Sequence, residues 1–159
     1  MIKGFKCFYG GLINAFGQKL QLDKKYIYDG QIKFKNGGYH LCTNLEDTLR
    51  YFDGVNKNVD ICEAIGYPEY VKYEDEYYGY YDMYACQSIL LTKVLTRDEI
   101  IKKADNMNLL AFKRFAAGYK LNKDELEYFK NKYKNESDVL YHLIYYYEDK
   151  DIYKKLIRR

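Results

Sequence analysis

The punctuation of the chain changes at residue 95, and this change constrains the fold more than any other feature. Up to Leu95 the breaks are turn formers: Gly10-Gly11, Asp29-Gly30, Asn36-Gly37-Gly38 and Asp53-Gly54. Beyond it they are helix caps. Thr96 with Glu99 has the spacing of a capping box, in which each side chain satisfies an orphan backbone N–H. Asn122 with Glu125, and Ser137, can cap further helices. A chain divided in this way predicts an α+β protein. A small twisted, mainly antiparallel sheet with one inserted helix occupies residues 1–95, and a C-terminal helical subdomain, residues 96–159, packs on it as one unit. At 159 residues the chain can bury a core without a metal or a disulfide.

Within the first half, residues 1–9, 25–28, 31–35 and 39–42 read as strands. The second and third of these form a hairpin about Asp29-Gly30. Thr43 and Glu46 have capping-box spacing, opening a helix with Leu45, Leu49 and Phe52 on one face. Residues 59–65 form a strand closed by Gly66 and Pro68, and residues 88–95 form the longest strand. The helices of the second half run from 96 to about 104, 108–117 with Gly118 as C-terminal cap, 122–133 and 138–147, with a last turn or two in 151–157. Leu140, Tyr141, Ile144 and Tyr145, at helical spacing, read as core.

Apolar residues make up 48% of the chain and charged residues 31%, which excludes a disordered protein. No apolar run approaches the ~20 residues of a spanning helix, and residues 1–16 lack a secretory core, so a cytoplasmic location is expected. The net charge of +3 is too small to argue for nucleic acid. Cys7, Cys42, Cys62 and Cys86 are widely spaced among apolar neighbours, the pattern of buried thiols rather than zinc ligands. His40 and His142 have no neighbours at metal spacing, so no metal is expected. Phosphate-loop, dinucleotide and nucleophile-elbow motifs are missing.

Residues 67–84 stand apart, with eight tyrosines among eighteen residues. Residues 66–84 carry a net −4, between segments of +2 and +5. Tyrosine offers rigid contact area with a polar tip, and neighbouring carboxylates suit a cationic partner. Tyr73, Glu74, Asp75, Glu76, Tyr77, Tyr78 and Tyr81 are therefore the candidate partner-binding residues, and the expected partner is a protein with a basic surface. The acids would repel phosphate there. A nucleic-acid-binding module would instead use the basic helices, through Lys102, Lys103 and Lys113.

The run Gly38-Tyr39-His40-Leu41-Cys42, the helix start from Asn44 to Tyr51, and Cys62-Glu63-Ala64 resemble features of a family of small uncharacterised proteins from phages and their bacterial hosts. The resemblance spans roughly residues 2–100. It implies a non-enzymatic phage-type protein that binds a host or phage protein, with inhibition of a defence nuclease as one use. The order of elements is also similar to part of the ADP-ribosyltransferase fold of the poly(ADP-ribose) polymerase branch. That likeness implies an NAD-dependent transferase or an inactive relative, with Tyr39, His40, Tyr51 and Glu63 as candidate catalytic residues and NAD as the cofactor. A ring must stack on nicotinamide and a carboxylate must hold the ribose hydroxyls of an oxocarbenium-like centre. Residues 1–9 hold no counterpart of that branch's first-strand His, and Glu63 and Asp82 are displaced from its catalytic Glu. The leading expectation is therefore a protein-binding protein without a cofactor, and the transferase is the alternative.

Overall fold

The computed structural model describes residues 1–33, 36–51, 58–73 and 82–147. The protein is α+β. Strands β1 (Ile2–Tyr9), β2 (Lys25–Ile27), β3 (Tyr39–Cys42), β4 (Val59–Tyr73) and β5 (Met83–Val94) form one sheet in which each pairing is antiparallel. A single helical turn, α1 (Leu45–Thr48), continues into a 3-10 turn at Leu49–Tyr51. Four helices follow the sheet: α2 (Arg97–Asp105), α3 (Leu109–Gly118), α4 (Lys123–Lys132) and α5 (Ser137–Tyr147).

The sheet closes on itself. β1 lies between β3 and β4, β4 pairs with β5 along its length, and β5 returns to β3. The second edge of β5 holds β3 at residues 83–86 and β2 at 88–90. Phe8, Leu41, Cys62, Ala64, Cys86, Ile89 and Leu91 meet inside the ring. Gly66 is required there, because a Cβ would run into the Cys86 sulfur and come within 2.9 Å of Leu41. The alternate face of the same strands carries Phe5, Cys7 and Ile61, which pack with Leu45, Leu49 and the helices. Phe112 is the centre of that second core. Its ring centroid lies 4.6 Å from those of Phe129 and Tyr133, and Phe115 and Leu143 are fully buried beside it.

The capping boxes at Thr96/Glu99 and Asn122/Glu125 form as expected. Several local expectations are corrected. β2 does not form a hairpin with residues 31–33; Tyr26 pairs with Ile89 on the open edge of β5, and tertiary pairing wins over the local turn. Among the described residues of that segment only the Lys33–Gly37 bridge remains, and Phe34 and Lys35 lie outside them. The Thr43/Glu46 capping box does not form. The Thr43 hydroxyl is buried without a partner, Asn44 takes the N-cap position and bonds Asp47, and Glu46 pairs with Arg114. Phe52 lies outside the described residues.

Gly66 and Pro68 do not end β4. The strand runs on to Tyr73, and Pro68 sits at a register irregularity between Tyr67 and Tyr70, where a missing N–H costs little. The β5 partner strand likewise starts at Met83, so residues 67–73 and 83–84 belong to strands rather than to a loop. Gly118 is not a left-handed cap but the last residue of α3. A Cβ there would lie 2.7 Å from Leu49 Cβ, so the glycine serves close helix packing. On α5 the buried face is Val139 and Leu143, while Tyr141 and Tyr145 are exposed and Leu140 and Ile144 half-buried. Residues 151–157 lie outside the described residues.

Candidate ligand cavity between the first and third strands

β1 and β3 pair at one position, Phe5 with Cys42. Past that point the strands diverge, and a cavity of about 640 Å³ opens beside them. Its size lies in the range of small-molecule sites. Segments 14–18 and 36–38 border it. The Asn14 side-chain carbonyl accepts the N–H groups of Phe16 (3.0 Å) and Gln18 (2.9 Å), so a short tied loop presents Phe16 at the cavity while leaving it 85% exposed. Gln18 also hydrogen-bonds Tyr39, and both residues line the cavity.

Strand periodicity places Lys6 on the Phe8 face of β1, away from Phe5 and Cys7. The Lys6 ammonium donates to the His40 carbonyl oxygen at 2.8 Å. No Asp or Glu is among the described residues that line the cavity. Burial pulls the Lys6 pKa down to about 8. His40 is half-buried on β3. Burial first, and the Lys6 charge second, hold its pKa near 4, although a hydrogen bond to the Lys33 backbone opposes them. Its ring is therefore neutral at pH 7, as a donor or acceptor rather than a cation. Burial pushes the thiol of Cys86 up to about 11 and those of Cys42 and Cys62 up to about 12, and raises Cys7 as well. All four cysteines are free and buried, the state expected of core thiols, and none is a ready nucleophile. Among the described residues no group of three or more His, Cys, Asp or Glu could hold a metal ion.

Of the candidate transferase residues, Tyr39 and His40 line the cavity. Tyr39 is half-buried with its ring 6.3 Å from that of Tyr26, and burial raises its pKa. Glu63 is placed elsewhere. It lies on the opposite face of β4 from Cys62 and Ala64, half exposed, with Lys103 at 3.9 Å. Tyr51 closes the 3-10 turn, and its side chain is outside what the structure describes. Comparison with family models, curated proteins and solved structures finds no match to this chain. Function therefore rests on the geometry of the site.

Of the candidate partner-binding residues, Tyr73 ends β4, half-buried, while Glu74, Asp75, Glu76, Tyr77, Tyr78 and Tyr81 lie outside the described residues. The basic helices are less free than their sequence pattern implies. Lys103 faces Glu63, and Lys113 lies 3.6 Å from Asp138. Arg114 spans from α3 to α1, 3.2 Å from Glu46 and 3.3 Å from Asp47. Asp47 is 1% exposed, and burial raises its pKa despite Asn44 and Arg114. The Arg114–Asp47 contact is charge against charge rather than a directed hydrogen bond.

Lys6 and Phe16 are the residues that sequence reasoning passed over. The signal for Lys6 was present: in Ile2-Lys3-Gly4-Phe5-Lys6-Cys7-Phe8, period two puts a lysine on the face of Ile2 and Phe8. For Phe16 there was none, because its place over the cavity depends on the Asn14 loop.

Proposed function

We propose that the protein acts by binding another protein through the anionic, tyrosine-rich end of the β4–β5 pair, and that the partner presents a basic surface. One observation carries this reading. β1 pairs with β4 only as far as Gly66, so among the described residues the continuation of β4 to Tyr73 is paired on one side, by β5. Residues 68–72 of that continuation are exposed, with Tyr70 at 45% and Val71 at 47%. An open strand edge supplies backbone donors and acceptors, and tyrosine beside it supplies contact area. The surrounding charge of −4 over residues 66–84 favours a cationic partner and faster encounter with it. In the phage setting that the sequence resemblance implies, the partner would be a host or phage protein, such as a defence nuclease. No cofactor is needed for this activity.

The test is charge reversal of Glu74, Asp75 and Glu76 to lysine. Partners retained by the wild-type protein from a host lysate are identified by mass spectrometry, and the affinity of the purified partner is then measured for both proteins. Reversal should weaken binding at least about tenfold and leave the thermal midpoint nearly unchanged. Unaltered affinity would rule this surface out.

The cavity favours a second reading, an ADP-ribosyltransferase-like protein that binds NAD beside Tyr39 and His40. Among the described lining residues no carboxylate is placed to meet ribose hydroxyls, which places this reading behind the first. A thermal shift on adding NAD separates the two.

A further inference from the structure

The Lys6 ammonium has three donors, of which one is used by the His40 carbonyl. It sits in a mostly apolar space with no acidic side chain among the described lining residues. A partly desolvated cation without a counter-ion is unfavourable, and an anion that enters the space relieves it. The charge count limits the anion. His40 is neutral above about pH 4, and among the described lining residues Lys6 is the only Lys or Arg, so these residues match one negative charge and leave a second without a partner. Phe5, Leu41, Met83 and Phe16 supply apolar contact around it. Phe16 is mostly exposed although it is a large apolar side chain, which fits a ring that covers a ligand rather than one that packs the core.

We propose that this cavity binds a small organic monocarboxylate with an aromatic or apolar body, its carboxylate on the two remaining N–H groups of Lys6 and its body against Leu41, Met83 and Phe16. A dianionic phosphate ester suits the site less well, because no second cation among the described lining residues balances its second charge. This site is separate from the open β4 edge and does not depend on the docking reading.

The probe is phenylacetate, followed by calorimetry and by backbone NMR shifts on the full chain, with phenylacetamide as the neutral isostere and inorganic phosphate and NAD as competitors. Phenylacetate should move the resonances of Lys6, Tyr39, His40 and Phe16 and bind at least about tenfold more tightly than the amide, as expected for a charge-assisted contact. Lys6→Met should cost at least about tenfold in affinity. Phe16→Ala, at a position 85% exposed, should cost a few-fold.

The pH dependence follows from the protonated amine being the binding form. Affinity should be flat between about pH 6 and 7, where the probe's carboxylate is ionised and His40 neutral, and fall toward tenfold per unit above the free Lys6 pKa of about 8. The other ionisable groups near the ammonium are the thiols of Cys7, Cys42, Cys62 and Cys86, the His40 ring, and the phenols of Tyr28 and Tyr39 on the lining. The thiols and the imidazole keep one charge state between pH 6 and 9. Equal binding of acid and amide, undiminished binding by Lys6→Met, shifts confined to residues outside the cavity, or tighter binding of NAD or phosphate than of phenylacetate would each overturn the assignment.

Discussion

The two faces of β1 make opposite use of neighbouring residues. Phe5 and Cys7, which also border the cavity, pack into a side filled by rings, where Phe112, Phe115, Phe129 and Tyr133 close the space against Leu49 and Ile61. Lys6, between them in sequence, points to a side where β1 and β3 part after a single pairing and leave an open cavity. The helices account for the difference. On the filled side α3 can approach the 3-10 turn closely because Gly118 lacks a side chain, and α4 and α5 complete the cover. On the open side the cover is two short segments, around Asn14 and Gly37. A sheet that closes into a ring thus acquires a dry exterior against helices and a partly vacant flank where one strand pair is short.

The largest effect should come from breaking the filled side. Phe112→Ala removes the ring on which Phe115, Phe129 and Tyr133 converge, and should lower the unfolding free energy by about 3–5 kcal/mol in urea denaturation. A loss below about 1 kcal/mol would mean that this core is not tightly packed. Next is the ion pair at its edge. Arg114→Met leaves the buried Asp47 carboxylate without its cation and should cost about 3 kcal/mol at pH 7.

Without Arg114 the Asp47 pKa rises further above its unfolded value. A carboxylate whose folded pKa exceeds its unfolded pKa binds more protons when folded, so the variant's deficit should shrink as pH falls through that raised pKa. A deficit independent of pH between 4 and 7 would contradict this. The smallest effect is expected on the open side. Lys6→Met exchanges an ammonium held by one carbonyl hydrogen bond, with no carboxylate partner among the described residues, for an apolar chain of similar length, and should change stability by less than about 1 kcal/mol or raise it. A loss of several kcal/mol would make Lys6 a structural residue.

Much of this architecture was legible in the sequence, for identifiable reasons. Caps are local: Thr96 with Glu99 and Asn122 with Glu125 specify their helices through contacts three residues apart. The strands around residues 2–9, 39–42 and 59–65 carry their own periodicity. Misreadings occurred where a distant partner decided the outcome. Glu46 was drawn to Arg114, 68 residues away, instead of capping α1. Lys25–Ile27 paired with β5 instead of with its neighbour across Asp29-Gly30. β4 outran Gly66 and Pro68 because β5 was available to hold it. The cavity was least legible of all, because a gap between two strands is a property of their register and not of either segment. His40 and Tyr39 were visible as candidates, whereas Lys6 acquires its character only when the ring closes around it.

The contrast between the two faces can be measured at one atom. Titration of the Lys6 side chain by NMR, followed through its terminal carbon and nitrogen in the free protein, should give a pKa of about 8, with an upward shift when phenylacetate is added. A value at the ordinary lysine figure of about 10.4, unmoved by the carboxylate, would show a solvated amine on a flank with no site.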